Sequence, residues 1–280
     1  MSEAEALLEE NFTASDFEVV KRIAHQKAGI YFPDSRSTLV FSRLSRLVRE
    51  SGLPSFAAYL DFVQSSAGQV AMDEMICALT TNVTGFFRER KHFGHLEERG
   101  LPQLAERVKQ GKRGRIWSAA CSSGQEPWSI AMSVLSVFPD ATRYDTRILA
   151  TDINSQVVAQ AKLGIYPEEE MSAVSQAQKT RFMRPEGRNA LQFTGAITAL
   201  PVFKVLNLNA EWPMRGMFDA IFCRNVVIYF DEQTRDRLWR NLANKLERGG
   251  FLYVGHSEKI ACAKECGLEQ VLPTIYEKRY

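Results

Sequence analysis

Arg115-Ile-Trp-Ser-Ala-Ala-Cys-Ser-Ser-Gly-Gln-Glu-Pro-Trp-Ser-Ile-Ala-Met132 constrains this chain more than any other stretch. Ile116 to Ala120 read as a short apolar strand, and Ala119 to Gly124 are all small. Pro127 stands where a first helical turn tolerates it, and Trp128, Ile130 and Ala131 begin an apolar helical face. A strand, a turn of small residues and a helix are how the nucleotide-binding half of a doubly wound α/β fold begins. Small residues there serve either of two ends: close approach of backbone to a ligand, or close packing of strand on helix. The glycine fingerprint G-x-G-x-x-G is absent, so the turn by itself leaves both open.

The later strands favour binding. Arg147 to Asn154 reads as a second strand closing on Asp152. In open α/β sheets ligands lie beyond the carboxyl ends of the strands, and an acidic residue on the second strand holds ribose hydroxyls. An ionised carboxylate can accept both hydrogen bonds of a diol. Phe218 to Phe230 carries a third apolar strand running into Arg224-Asn225, and Gly249 to Glu258 a fourth. Polar residues at three strand ends point to one binding crevice.

Composition sets the outer limits. The chain has 280 residues, 45% hydrophobic and 24% charged, which fits one large or two unequal globular domains. No apolar run approaches the ~20 residues of a membrane span, so no membrane insertion is expected. Met1 to Glu10 is acidic and lacks a signal-peptide pattern, so the expected location is the cytoplasm. A net charge of +2 argues against a broad nucleic-acid surface. Cys121 and Cys223 fall in apolar strands and are expected as buried thiols. Cys262-x3-Cys266 lacks a second Cys/His pair, and no metal site is expected.

Residues 1–95 read as a helical bundle domain, followed by an α/β domain over 96–280. Ser15-Asp-Phe-Glu18 predicts a capping box, and Gly29 the end of that helix. Further helices are expected over about Ser37 to Glu50, from Pro54-Ser55, and over Met72 to Thr81. In the second of these, Val40, Leu44, Leu47 and Val48 fall in one arc, with Arg43, Arg46 and Arg49 outside it. Residues 1–95 hold ten Lys/Arg against twelve Asp/Glu, so positive charge is concentrated on this face. That is either a solvated surface or a docking face for an acidic partner. Leu79 to Arg90 links the two parts and is rich in Thr and Asn where a plain helix prefers Ala or Leu. Within the α/β domain, about 181–205 reads as a small inserted antiparallel β subdomain, and Gln270 to Tyr280 as an antiparallel edge strand.

Five blocks carry a resemblance. Leu79-Thr-Thr-Asn-Val-Thr-Gly-Phe-Phe-Arg88, Trp117 to Pro127, Thr151-Asp-Ile153, Phe222-Cys-Arg-Asn-Val-Val-Ile-Tyr-Phe230 and Gly255-His-Ser-Glu258 resemble, in family order, the chemotaxis receptor methyltransferases (CheR). The resemblance implies transfer of a methyl group from S-adenosylmethionine (SAM) to glutamates on chemoreceptor helical bundles, leaving S-adenosylhomocysteine. It implies that Asn82, Thr84, Arg88, Glu126, Asp152, Asn207, Leu208, Arg224 and Asn225 surround SAM. Arg88 and Tyr229 would lie nearest the transferred methyl and act as the catalytic pair. Met183 to Leu191 looks shorter than in members whose β subdomain grips a C-terminal receptor peptide, so no such tether is expected. A monomer is expected, with Arg43, Arg46 and Arg49 as the receptor-docking face.

The chemistry needs no general base, because a glutamate with pKa about 4.3 is already ionised near neutral pH. A dehydrogenase would share the fold and the acidic ribose residue, but wants the glycine fingerprint. A nucleic-acid methyltransferase would suit the arginines, but wants aromatic residues interleaved with basic ones. A binding module that keeps SAM without catalysis would not need Arg88 and Tyr229.

Overall fold

The computed structural model describes residues 12–280, so the acidic stretch Met1 to Glu10 lies outside the described residues. The chain forms two compact units: residues up to Thr81 with Tyr229–Asp231, and Asn82–Ile228 with Glu232–Tyr280. Residues 82–95, read from the sequence with the helical part, therefore pack with the α/β unit.

The first unit is helical: α1 (Ala14–Ala28), α2 (Ser37–Glu50), α3 (Phe56–Gln64) and α4 (Gln69–Leu79). The first helix starts earlier than Ser15 implies. Thr13 is its cap, its hydroxyl accepting the Asp16 N–H at 3.1 Å while the Asp16 carboxylate takes the Thr13 N–H at 2.9 Å. The same spacing exists two residues upstream of the expected box, and there the acidic partner is buried as well as paired. Gly29, at φ 73°, closes the helix. Val20, Val40, Leu44, Val48, Leu60 and Met75 fill the core, and the Phe12 ring lies 4.7 Å from Phe56. Ile30 bridges Phe230 in antiparallel fashion, and Tyr31 N–H donates to the Tyr229 carbonyl at 2.8 Å. These contacts, with His25 against Asp231 at 2.5 Å, make Tyr229–Asp231 part of the helical unit.

The second unit opens with the short α5 (Arg90–His95) and α6 (Leu101–Lys109). It then winds through β1 (Gly114–Ala119), α7 (Gln125–Val137), β2 (Thr146–Asp152) and α8 (Ser155–Leu163). After β3 (Ile165–Pro167) come α9 (Gln176–Phe182), β4 (Met183–Glu186), β5 (Ala190–Phe193) and β6 (Pro201–Val205). It ends with β7 (Phe218–Cys223), α10 (Glu232–Ala243), β8 (Leu246–Val254), β9 (Leu268–Leu272) and β10 (Ile275–Lys278). Among the described residues there is a seven-stranded sheet in the order β6-β2-β1-β7-β8-β10-β9. Its first five strands are parallel, and β10 pairs antiparallel with both β8 and β9. A separate antiparallel sheet, β3-β5-β4, stands apart from it.

Two details differ from the sequence reading. The small sheet recruits Ile165–Pro167 from upstream of 181–205, and Pro201–Val205 has already returned to the edge of the main sheet beside β2. The C-terminal stretch is a hairpin rather than one edge strand. It turns at Pro273 and Thr274, whose φ of 63° reverses the chain, so β10 is interior and β9 is the edge. Trp128 on α7 stacks on Phe193 of β5 at 4.4 Å with planes 7° apart, which anchors the small sheet.

Candidate active site

Register alone gathers the predicted polar residues of the α/β unit. Ala119 pairs with Thr151 on one side and Cys223 on the other, and Cys223 pairs with Val254. The next residue along each strand is Ala120, Asp152, Arg224 and Gly255, so these stand in a row at the carboxyl edge. The chain steps from β1 to β2 on one side and reaches β7 on the other. This is the strand-order reversal at which open α/β sheets bind ligands.

The turn after β1 is tightly wound. Ala120 and Ser122 have φ of 63° and 50°, in the left-handed region that side chains rarely adopt. Cys121 N–H donates to the Thr151 carbonyl at 2.8 Å, and Ser122 N–H to Asp152 Oδ2 at 2.8 Å. Gly124 is a packing glycine, since a Cβ there would stand 2.7 Å from the Ala161 Cβ and 2.6 Å from the Tyr166 hydroxyl. Of the two uses of small residues that the sequence left open, packing of strand on helix is the one that Gly124 serves.

Asp152 is buried, and its carboxylate is held by the Ser122 N–H on one oxygen and by the Asn154 N–H at 3.0 Å on the other. Burial pushes its pKa up, opposed by the N–H groups of Asn154, Ser122 and Ile153. Two carboxylate oxygens offer about four acceptor sites, more than these N–H groups fill, so acceptor capacity remains for a diol. The Leu206 N–H donates to the Asp152 carbonyl at 2.9 Å, which brings Asn207 and the buried Leu208 in after β6. Asn207 Oδ1 takes the Asn209 N–H at 2.9 Å.

Glu126, in the first turn of α7, accepts from the Ser118 hydroxyl at 2.7 Å and from Arg224 Nη1 at 3.1 Å. Burial pushes its pKa up against the opposing pull of Arg224 and Ser118. Arg224 is itself buried, its guanidinium 5.9 Å from the Phe93 ring centroid, and its Nη2 donates to the Arg88 carbonyl and lies 3.4 Å from Glu89 Oε2. Burial pushes Glu89 up, but Arg224 and the His256 N–H outweigh it, leaving its pKa below the ordinary value. One guanidinium between two carboxylates leaves an excess negative charge at the strand ends, which suits a cationic ligand.

Arg224 thus turns inward to its own chain. Arg88 Nη1 donates to the Val83 carbonyl at 3.1 Å, and Asn82 is joined to the turn because its carbonyl accepts the Ser122 hydroxyl at 2.8 Å. Asn225 has a φ of 60°. Its N–H and those of Val226, Val227 and Gly255 all converge on the Glu258 carboxylate at 2.6–3.1 Å. Gly255 has no room for a Cβ, which would stand 2.6 Å from Asn225 Nδ2. Burial pushes the Glu258 pKa up, against those same N–H groups. Glu89, Ser118, Ser122 and Glu258 were not singled out from the sequence as site residues. Glu89 and Glu258 stand at or beside the ends of quoted blocks, and a polar residue closing such a block was the available signal.

Thr84 is half-buried in the same linking segment as Asn82, in the α/β unit, and the other predicted residues lie in the helical unit. Tyr229 closes a turn of 3-10 helix, Val227–Tyr229, beyond β7 and is held by Tyr31 as described. Arg43, read from the sequence as part of an outward face, instead donates to the Leu79 carbonyl at 2.5 Å and to Thr81 Oγ1 at 2.6 Å. The C-terminal end of α4 offers carbonyls with no helical partner, and Arg43 is long enough to reach them. Arg46 and Arg49 are exposed, and Arg46 Nε pairs with Glu50 at 2.7 Å. All five cysteines are buried and free of disulfides, and among the described residues no cluster of three or more His, Cys, Asp or Glu could hold a metal.

Two family models match the chain: the CheR methyltransferase all-alpha domain over residues 15–80, and the CheR methyltransferase SAM binding domain over residues 82–274. A probable chemotaxis protein methyltransferase of Rhizobium etli is 46% identical over 240 residues, covering 85% of this chain and 90% of the relative. Chemotaxis protein methyltransferases of Borreliella burgdorferi and Escherichia coli are 37% and 36% identical, covering 96% and 88% of this chain and 95% and 84% of their own lengths.

Proposed function

The chain belongs to the CheR methyltransferase family and is a SAM-dependent methyltransferase of chemotaxis, and from that premise we propose that its product is a glutamate methyl ester on the cytoplasmic helical bundle of chemoreceptors. The observation that carries the reading is the strand-end row. Asp152, fixed by backbone on both oxygens, stands across the β1 turn from the Glu126–Arg224 pair. An acidic acceptor for a diol and a net negative charge suit SAM, a ribose bearing a sulfonium cation.

In this reading Asp152 holds the ribose hydroxyls, and Asn207 with Leu208 flanks the adenine. Asn82, Thr84, Glu126, Arg224 and Asn225 complete the cofactor's surroundings. When bound, SAM supplies an electrophilic methyl group. Transfer to a receptor carboxylate oxygen would form the C–O bond as the S–CH3 bond breaks, with the electron pair left on a neutral thioether sulfur. Opposite charges cancel, so the protein's task is alignment and exclusion of water, and well-held geometry contributes roughly 7–11 kcal/mol in general. Arg88 receives the second carboxylate oxygen with its planar fork, and Tyr229 orients the reacting pair through its hydroxyl. The exposed Arg46 and Arg49 meet the acidic receptor surface, while Arg43 steadies the helical unit behind them.

Incubation of the protein with methyl-labelled SAM and membranes containing receptor is expected to label receptor, and mild alkali is expected to release the label as methanol. An alkali-stable label would mean N-methylation and overturn the ester assignment.

A further inference from the structure

Glu89 has no part in the proposed transfer, yet it stands beside Arg224 and next in sequence to Arg88. Both its neighbours in the turn matter. Phe87 and Glu89, on either side of Arg88, have φ of 50° and 58°, and neither is a glycine. Strain of this kind on both sides of one residue persists only where the surroundings over-determine it. Here the surroundings are specific. Phe87 N–H donates to Ser129 Oγ at 3.0 Å, and the Arg88 carbonyl accepts Arg224 Nη2. Glu89 Oε1 accepts the His256 N–H at 3.2 Å, with His256 Nδ1 3.3 Å away. Glu89 Oε2 stands 3.4 Å from Arg224 Nη2 and 3.4 Å from His92 Nδ1.

The guanidinium of Arg224 therefore has Glu126 on one arm and Glu89 on the other. The arm that faces Glu89 is the arm that holds the Arg88 backbone. We infer that Glu89 is a positioning residue for methyl transfer, fixing through Arg224 the backbone from which the Arg88 side chain projects. It touches no reacting atom. The inference rests on the proposed role of Arg88, and its claim is that Glu89 works through that residue. A glutamine would keep the shape but set an amide N–H2 against one of two donors, the His256 N–H or Arg224 Nη2. Aspartate would keep the charge but fall short of one of them.

The test uses the full chain with Glu89→Gln, Glu89→Asp, Arg88→Ala and the double variant Arg88→Ala/Glu89→Gln. Glu89→Gln is expected to lower kcat about tenfold to a hundredfold, the size of effect that a misplacement of about 1 Å can have. SAM affinity by calorimetry should stay within about threefold, and Glu89→Asp should recover part of kcat. The double variant should be no slower than Arg88→Ala alone, because two residues acting as one unit are not additive. Undiminished kcat in Glu89→Gln would overturn the inference, as would losses that multiply in the double variant. Should Glu89→Gln fail to fold, Glu89→Asp carries the same cycle. Full turnover in Arg88→Ala would instead bring down the reading of the site itself, whatever Glu89 does.

Discussion

Arg224 in the α/β unit and Arg46 in the helical unit each pair with a glutamate. The Arg46–Glu50 contact is the shorter, 2.7 Å against 3.1 Å for Arg224–Glu126. Distance nevertheless ranks them the wrong way. The Arg224 side chain is 3% exposed and Glu126 12%, whereas Arg46 is 76% exposed and Glu50 55%. An exposed i,i+4 pair is worth a few tenths of a kcal/mol and is screened by salt. Removing one partner of a buried pair leaves an uncompensated charge and costs about 3–5 kcal/mol. The strand ends hold charges that cannot be altered singly; the face of α2 holds charges that can.

Among effects on SAM binding, the largest expected from breaking the strand-end side is at Asp152. Asp152→Asn keeps the volume but turns one acceptor into a donor, which then faces the N–H of Ser122 or Asn154. Loss of one charge-assisted hydrogen bond should cost about 1.5–3 kcal/mol, roughly a tenfold to hundredfold weakening of SAM binding. Calorimetric titration of the folded variant checks this, and unchanged affinity would remove Asp152 from the ribose site.

A smaller effect sharpens the comparison through pH. Burial, reinforced by Arg224, holds His92 down at about 4, below its ordinary value of 6.5. A histidine kept neutral in the fold stabilises above the unfolded pKa, and that stability is lost as pH falls from about 6.5 toward 4. The melting temperature should therefore fall between pH 7 and pH 5, and fall less in His92→Gln, which can still donate toward Thr274 Oγ1, now 2.8 Å from His92 Nε2. Equal slopes in the two proteins would show that His92 does not carry the acid sensitivity.

How much of this was legible differs between the two regions. Asp152 and the small turn could be read because each closes an apolar strand, a pattern visible within its own segment. Arg43 could not, since a helical wheel shows which side a residue leaves by and not that the end of α4 offers it two oxygens. Glu258 stood out only as the polar end of a quoted block, and what it holds could not be read. Its partners lie about thirty positions upstream, on a loop whose left-handed Asn225 directs successive N–H groups to one point. Carboxylates that organise backbone from remote segments have no local period to betray them.

The smallest expected effect lies on α2, where the comparison is easiest to break. Arg46→Glu with Arg49→Glu should leave the melting temperature almost unmoved, since exposed changes away from caps and cores stay within about 0.5 kcal/mol. SAM affinity should not change, because neither residue belongs to the strand-end row. The apparent KM for receptor should rise severalfold, and added salt should raise it in the wild type while leaving the double variant nearly flat. That convergence follows from screening beyond a Debye length of about 8 Å at physiological ionic strength. Each methylation removes one negative charge from the receptor, so a fully methylated receptor should bind the wild type less tightly than an unmethylated one and distinguish little in the variant. Arg43→Ala provides the contrast on the same helix. It removes the donors that hold Leu79 and Thr81, so it should lower the melting temperature, which the outward arginines do not. If the double reversal methylates receptor as the wild type does at low and high salt alike, Arg46 and Arg49 are solvated surface.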